Sequence, residues 1–237
     1  MFENESESEL SATFTFDGKV DLRPVWLGAR TGMIDAPDEV SFNEDNGLVA
    51  AKDRDNEWYV VYGSSTSPNG QSLGAVGCDF ERTGQGTNAG LKYSLKLSAG
   101  ESSVLQFVIA GYDKSKEEAL NRFSNVLKNI DGMIEQKGKH YQQINTTALL
   151  KTPSGQIDQA FQWNKYNTDW LINDVEGLGR GITAWNPDYS WFFGADSEYA
   201  LQGAIAIGMK DIVYSTIAMI DSVSNAVNNG SGKIMYE

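Results

Sequence analysis

The stretch LKYSLKLSAGESSVLQFVIAGYDKSKEEAL, residues 91–120, contains the change from strand to helix that decides the fold. Apolar and polar residues alternate over residues 91–97, which is the pattern of a half-buried β-strand. Residues 103–109 are mostly apolar and predict a more fully buried strand. Ser115-Lys116-Glu117-Glu118 is a capping box, in which the serine hydroxyl accepts a hydrogen bond from the amide three residues later. We therefore expect the chain to leave a sheet and enter a helix at Ser115.

The N-terminal half consists of short apolar runs separated by segments rich in Gly, Ser and Asn. Residues 12–16 and 20–22 flank Asp17-Gly18, a dipeptide typical of hairpin turns, so a hairpin is predicted there. Residues 57–62 are rich in aromatic and β-branched side chains and predict another strand. Short strands divided by turn residues are typical of a β-sandwich, which we predict for residues 1–113.

Downstream of the capping box, apolar residues recur at spacings of three and four: Leu120, Phe123, Leu127, Ile130 and Ile134. This spacing places them on one face of a helix of about 20 residues. The helix is expected to end at Lys137-Gly138-Lys139, because glycine commonly follows the last helical turn. His140 is then expected to interact with the negative end of the helix dipole. Residues 114–150 are predicted to form a linker helix region.

The pattern after Thr152 is helical. One helix is entered through Thr152-Pro153-Ser154, a second is predicted over residues 196–207, and a third begins at Lys210 and runs to about residue 223. Residues 151–237 are therefore predicted to form a second, all-α domain. Between the first two helices, residues 177–195 are predicted to be a loop.

Composition restricts the classes of function. The 237 residues include 19 Lys and Arg against 32 Asp and Glu, a formal net charge of −13. This charge argues against binding to nucleic acid or to an anionic membrane, because both would be repelled. The single cysteine, Cys78, and the single histidine, His140, exclude an internal disulfide and a Cys/His zinc site. No metal, no cofactor, and no nucleic-acid or membrane partner are expected.

Two further features concern location and the cysteine. The N-terminal residues MFENESESEL lack the basic region and the apolar core of a signal peptide, which favours the cytoplasm. Cys78 lies in an apolar segment without a neighbouring base and is expected to be a buried hydrophobe rather than a nucleophile.

The predicted loop contains an unusual density of aromatic rings: Trp185, Tyr189, Trp191, Phe192 and Phe193. Aromatic faces complement the C–H faces of sugar rings, while carboxylates and amides bond to sugar hydroxyls, so the loop is a candidate carbohydrate subsite. Alternatively, the rings plug the end of a helical bundle. Asp196 also has two interpretations, as a ligand-binding carboxylate or as the N-cap of the following helix.

The loop and its surroundings also resemble a known group of enzymes. The segments Phe161-Gln162-Trp163-Asn164-Lys165, Gly177-Leu178-Gly179-Arg180-Gly181 and Tyr189-Ser190-Trp191-Phe192-Phe193-Gly194-Ala195-Asp196 are similar to the start of the catalytic domain in glycogen-debranching-enzyme-like and glucoamylase-like glycoside hydrolases. The resemblance implies a β-sandwich followed by a linker helix and the first helices of an incomplete (α/α)6 toroid. It also implies that Asp196 binds sugar hydroxyls in the −1 subsite, flanked by Trp191 and Phe192. Ala195 stands where the family has arginine.

A second motif adds a candidate residue at the end of the chain. Residues 229–237 are similar to the family's G-K-I-P-H-E loop, with Met235-Tyr236 in place of its Pro-His pair. The resemblance places Glu237 on the same rim as Asp196, as a substrate-binding residue and a candidate catalytic carboxylate. Alternatively, Glu237 is a terminal carboxylate with no role in a site. The full set of candidate substrate-binding residues is Trp185, Tyr189, Trp191, Phe192, Asp196 and Glu237.

The resemblance implies an inverting hydrolase with two catalytic carboxyl groups, acting on α-glucosidic or related oligosaccharides. Twelve helices with their loops need on the order of 300 residues, so the general acid and base are expected beyond residue 237. The chain alone is therefore expected to be inactive, and its unpaired helix faces to associate with other chains.

Two alternatives remain open. One is a disaccharide phosphorylase of the same architecture, for which Arg180 is the basic residue near the loop. The other is a non-catalytic carbohydrate-binding module.

Overall fold

The computed structural model describes residues 1–25, 28–74, 85–187 and 189–235. These residues form two compact units, Met1–Met133 and Ile134–Glu237. Two residues singled out from the sequence, Cys78 and Glu237, lie outside the described residues.

The regular secondary structure of the first unit consists mainly of antiparallel strands, and that of the second consists mainly of helices. The strands are β1 (Phe2–Glu3), β2 (Leu10–Val20), β3 (Asp38–Asn43), β4 (Leu48–Asp53), β5 (Tyr59–Ser64), β6 (Gly70–Leu73), β7 (Thr87–Leu97), β8 (Ser102–Ser103), β9 (Phe107–Tyr112), β10 (Ile172–Val175) and β11 (Gly179–Ile182). The helices are α1 (Lys116–Thr146), α2 (Gly155–Trp170), α3 (Gly194–Ala206) and α4 (Lys210–Val227), with a short 3-10 helix at Gly28–Thr31. Helix α1 contributes residues to both units.

The first unit is a β-sandwich. One sheet has the order β2-β7-β6 and the other the order β3-β4-β5-β9, while β1 pairs with β8 separately. Buried side chains from both sheets form one core: Val20, Val49, Ala51, Tyr62, Ala89, Leu91 and Tyr93. The prediction of an N-terminal β-sandwich is therefore confirmed.

The N-terminal part of α1 packs against the four-stranded sheet. Ala119 and Phe123 are buried in one cluster with Val61 and Val108, and the predicted apolar face supplies the surrounding contacts. Ser115 Oγ accepts a hydrogen bond from the amide of Glu118 at 3.1 Å, as the capping box predicts.

The predicted turn at Asp17-Gly18 is wrong, because β2 continues through both residues as a paired strand. A Cβ on Gly18 would lie 2.6 Å from Cζ of the Tyr62 ring. The Tyr62 hydroxyl passes over this glycine and donates a hydrogen bond to the carbonyl of Ala89 at 3.0 Å. Gly18 is thus explained by close packing under a ring rather than by a turn.

The predicted end of α1 at Gly138 is also wrong, since the helix continues to Thr146. A single glycine weakens a helix by only about 1 kcal/mol, and the added turns bury Ile144. His140 therefore lies within the helix rather than after it, and its Nε2 atom lies 2.8 Å from Oδ1 of Asp169 on α2.

The second unit contains the three predicted helices and one unpredicted hairpin. Helix α2 follows Thr152-Pro153-Ser154 as expected, α3 begins two residues before the predicted start, and α4 ends four residues after the predicted end. Strands β10 and β11 pair between α2 and α3, where a loop was predicted. Buried residues from β11, α3 and α4 form a core: Ile182, Leu201, Ala204, Ile212 and Val213. Across the described ranges, none of the helices has the length and apolar character needed to span a membrane.

A buried carboxyl group in the sandwich gives a prediction about pH. Asp38 is 9% exposed, and its Oδ2 atom accepts a hydrogen bond from the amide of Leu22 at 2.8 Å. Burial raises the pKa of Asp38 to about 6, and the negative charges of Asp53, Asp21 and Asp35 act in the same direction. The bond from Leu22 lowers the pKa and offsets part of this rise.

The folded protein therefore binds a proton at Asp38 that the unfolded chain, with a carboxyl pKa of about 3.9, has released. Stability due to this group should fall as the pH rises from about 4 to about 6. Asp38→Asn keeps an oxygen for the Leu22 amide and cannot ionise. Urea unfolding measures the free energy of unfolding of the variant minus that of the parent. We expect this difference to rise by about 1 kcal/mol between pH 5 and pH 7.5. An equal difference at both pH values would contradict the assignment.

Candidate functional site

The aromatic loop comprises residues 184–193, between β11 and α3. Backbone hydrogen bonds join its two ends. The amide of Ala184 donates to the carbonyl of Trp191 at 3.2 Å, and the amide of Trp185 donates to the carbonyl of Tyr189 at 2.9 Å. Asn186 anchors the loop, since its Nδ2 atom donates to the carbonyl of Trp170 at 3.0 Å. These bonds fix the backbone from which the rings project.

The structure divides the aromatic residues of this loop into two groups. Trp185 is 63% exposed, Tyr189 is exposed and Trp191 is half-buried. Phe192 is only 6% exposed and packs in a cluster with Met219 of α4, and Phe193 is also buried. The two interpretations of the loop thus apply to different residues: Phe192 packs in the helical core, whereas Trp185 and Tyr189 are exposed.

Asp196 lies in the first turn of α3, as the third residue of that helix. The N-cap position belongs to Phe193, which makes no side-chain capping bond, so the interpretation of Asp196 as the N-cap is wrong. The Asp196 side chain is exposed. Its position near the positive end of the helix dipole favours a negative charge, and its oxygens are open to a ligand.

Ile234 and Met235 lie against the first turn of α3. A Cβ on Gly194 would overlap the carbonyl oxygen of Met235 and would lie 3.0 Å from Cγ2 of Ile234. The amide of Met235 donates to Oγ of Ser224 on α4 at 3.0 Å. The structure therefore brings together the aromatic loop, Asp196 and the segment that leads to Glu237, although Glu237 itself is outside the described residues.

Arg180 does not belong to this group of residues. It lines a cavity of about 210 Å³ together with His140, Lys210 and Gly208, at the junction between α3 and α4. That junction is at the C-terminal end of α3, whereas Asp196 is near its N-terminal end. Asp196 lies ten residues before Ala206, the last residue of α3, a rise of about 15 Å along the helix axis, so a phosphate bound in this cavity would lie well away from Asp196.

Sequence reasoning missed Asn173 and Asn186, which hold the loop in place. Asn173 Nδ2 donates to Oδ1 of Asn186 at 3.0 Å and to Oγ1 of Thr183 at 2.7 Å. Thr183 is buried and donates in turn to the carbonyl of Leu171 at 2.9 Å. The sequence contains an indication of this network, because amide and hydroxyl residues occur on both sides of the hairpin. The sequence analysis considered only aromatic and acidic residues as candidates.

No family model matches the chain, and neither does any curated protein. A solved structure described as "Putative kojibiose phosphorylase from human microbiome" matches 96% of this chain with a TM-score of 0.58 and 9% sequence identity. The fold of this chain is therefore similar to that of part of this structure. The predicted order of β-sandwich, linker helix and first toroid helices is therefore confirmed. The chain spans 31% of the length of that structure, and identity this low shows the fold alone.

Proposed function

We propose that this chain forms the sugar-binding part of an enzyme that cleaves glycosidic bonds in α-glucosides or related oligosaccharides. The observation that carries the proposal is the pairing of exposed rings with an exposed carboxylate at the N-terminal end of α3. Trp185 and Tyr189 project from a hydrogen-bonded loop, and Asp196 lies in the first turn of the helix that follows. The likeness in fold to a structure described as a phosphorylase of kojibiose supports the same class of substrate.

The chemistry of these groups suits sugars for two separate reasons. Indole and phenol faces are apolar and stack on the C–H faces of a sugar ring. A carboxylate accepts hydrogen bonds from hydroxyl groups, and bonds to a charged acceptor are about twice as strong as neutral ones. We assign the first role to Trp185, Tyr189 and Trp191 and the second to Asp196. Phe192 is too deeply buried to present a face to a sugar and supports the loop from below.

Bond cleavage needs groups in addition to these. Hydrolysis by inversion uses two carboxyl groups about 6.5–9.5 Å apart, with a water between them. In this proposal Asp196 binds sugar hydroxyls. The position of Glu237 on the same rim of the site as Asp196 stays a prediction. In this proposal the catalytic acid and base are two further carboxyl groups of the whole protein.

Phosphorolysis is the second candidate reaction. In this reaction phosphate replaces water as the attacking group. The description of the structural neighbour as a phosphorylase favours it. Phosphate needs a cationic pocket, and Arg180 is too far from Asp196 to provide one. Lys233 is an exposed cation in the segment that lies against α3, so it is our candidate for this contact.

The binding role predicts that Asp196→Asn and Trp185→Ala each weaken oligosaccharide binding by about tenfold or more, since a hydrogen bond to a charged group contributes about 1.5–3 kcal/mol. Titration calorimetry with kojibiose, maltose and isomaltose measures the effect. Asp174→Asn, at an exposed position of β10, is the matched control and should bind as the parent does. Equal affinity in all three variants, or no binding by the parent, would contradict the assignment.

The reaction itself is tested by its product. The same disaccharides are incubated with the protein isolated from its source, with and without inorganic phosphate. Sugar phosphate formed only with phosphate assigns phosphorolysis, and free sugar formed without phosphate assigns hydrolysis. The 237-residue chain alone should give neither product above a buffer blank. Failure of the source protein to form either product would contradict the proposed function.

A further inference from the structure

Helix α2 carries a second aromatic surface, on a different element from the loop of residues 184–193. Trp163, Tyr166 and Trp170 follow one another at spacings of three and four, which places them on one face of the helix. Tyr141 of α1 packs against this face. We call these four residues the aromatic platform. Its two indoles are open to solvent, with Trp163 48% and Trp170 51% exposed.

Contacts between the rings hold the platform in one arrangement. Trp170 Nε1 donates a hydrogen bond to the Tyr141 hydroxyl at 2.6 Å. Tyr166 meets Tyr141 edge to face with ring centroids 5.4 Å apart, and it meets Trp163 in the same way at 5.8 Å. The Trp163 and Trp170 centroids are 6.0 Å apart. Rings oriented by their neighbours lose little conformational freedom when a ligand binds.

The exposed polar side chains that α2 places next to the platform are uncharged amides. Gln156, Gln159, Asn164 and Asn167 are exposed on α2. The charged residues of α2 are occupied elsewhere: Asp158 accepts bonds from Thr152, Lys165 is buried, and Asp169 pairs with His140. Helix α2 therefore presents indoles and neutral amides to solvent, in a chain whose formal net charge is −13.

Two side chains of α1 lie beside Tyr141, and one of them is His140, whose ring centroid is 5.6 Å from that of Tyr141. Lys137 Nζ is 5.6 Å from the centroid of the Tyr141 ring. Tyr141 is half-buried and its hydroxyl is used by Trp170, so its role is to orient the indole. The faces open to a ligand are therefore those of Trp163 and Trp170.

We propose that the aromatic platform binds a neutral oligosaccharide chain, with sugar rings stacked on Trp163 and Trp170. A neutral glycan offers apolar C–H faces for the indoles and uncharged hydroxyls for the surrounding amides. A charged ligand would find no opposite charge on the exposed part of α2. The platform is also anchored next to the candidate site, because Asn186 of the aromatic loop bonds to the carbonyl of Trp170.

The proposal is tested by titrating the purified chain with maltoheptaose, with isomaltooligosaccharides and with cellohexaose. At least one of these should bind, and the double variant Trp163→Ala/Trp170→Ala should weaken that binding at least tenfold. Tyr199→Ala, which removes a highly exposed ring from α3, is the matched control and should leave the affinity unchanged. Thermal unfolding of each variant checks that its fold is intact.

If the double variant does not fold, the test uses the NMR signals of the indole N–H groups in the parent chain. The signals of Trp163 and Trp170 should then shift when the glycan is added. Binding of none of the three glycans, or unchanged binding in a folded double variant, would overturn the proposal. Self-association that the double variant abolishes would also overturn it, by showing that the platform joins two copies of the chain. If Trp185→Ala loses binding while the folded double variant binds as the parent does, the platform proposal is overturned and the proposed function stands.

Discussion

Replacing Lys165 by methionine is expected to lower the free energy of unfolding by about 3 kcal/mol. Lys165 is only 1% exposed, and its Nζ atom donates to the carbonyls of Thr147 at 2.7 Å and Ile144 at 2.8 Å. These carbonyls lie at the end of α1, where the last four C=O groups have no partner within the helix. Methionine fills a similar volume but takes the ammonium donor from both carbonyls, and only that of Ile144 keeps a bond, from the amide of Thr147 at 3.3 Å.

Burial also lowers the pKa of Lys165 below its ordinary value, because the ammonium group has given up its hydration. The measurement is urea unfolding of parent and variant at neutral pH. Lys151→Met, at an exposed position of the α1–α2 connection, is the matched control and should change stability by less than about 0.5 kcal/mol. Similar stability of the two variants would show that the carbonyls find other donors.

Replacing Asp53 by alanine should destabilise the β-sandwich by about 3 kcal/mol. Asp53 ends β4 and is fully buried. Its Oδ1 atom accepts bonds from the amides of Asn56 at 2.8 Å and Asp55 at 3.0 Å, and its Oδ2 atom accepts one from the amide of Ala36 at 3.0 Å. Alanine leaves these backbone donors without acceptors.

Scanning calorimetry of the variant should show a lower transition temperature. Asp53→Asn retains one oxygen acceptor and should lose less stability than Asp53→Ala. Asp55→Ala is the exposed control, because Asp55 pairs with Arg54 at the surface and such pairs contribute about 0–1 kcal/mol. An Asp55→Ala variant as unstable as Asp53→Ala would mean that the turn itself, and not the buried carboxylate, is the sensitive feature.

The parts of the fold that sequence reasoning predicted correctly are those determined within one element. Alternation over residues 91–97 predicted part of β7, and the capping box at Ser115 predicted the start of α1. The apolar spacing from Leu120 to Ile130 predicted the helix face that packs on the sheet. Each of these patterns reports a local preference that the tertiary structure also uses.

Two of the errors arise where a glycine makes room for a side chain of another element. Asp17-Gly18 has the composition of a turn, but its glycine makes room for the Tyr62 ring. In β11, Gly181 leaves space for Phe192 and for Met219 of α4, so the glycines that predicted a loop belong to a packed strand. A sequence window contains only one of the two partners in such a contact, and the second becomes visible only in the folded chain.

The candidate site was predicted to the level of the segment but not of the side chain. The loop of residues 185–193 and Asp196 do lie at one end of α3, together with residues 234–235. Which rings face solvent depends on α4, because Met219 and Ile220 bury Phe192 and leave Trp185 outside. The platform on α2 was likewise hidden, since spacing alone does not show whether a helix face is covered.

The close packing of β11 against α4 also bears on the oxidation chemistry of the methionines. Met219 is buried against β11. A Cβ on Gly179 would lie 3.3 Å from its Cγ, and a Cβ on Gly181 would lie 3.0 Å from its Cε. A sulfoxide is polar and larger than the thioether, and it disrupts packed cores. Oxidation of Met219 would force the hairpin away from α4, whereas Met1 and Met133 are exposed. We therefore expect mild oxidation to modify Met1 and Met133 before Met219 and to leave the packing of the hairpin unchanged.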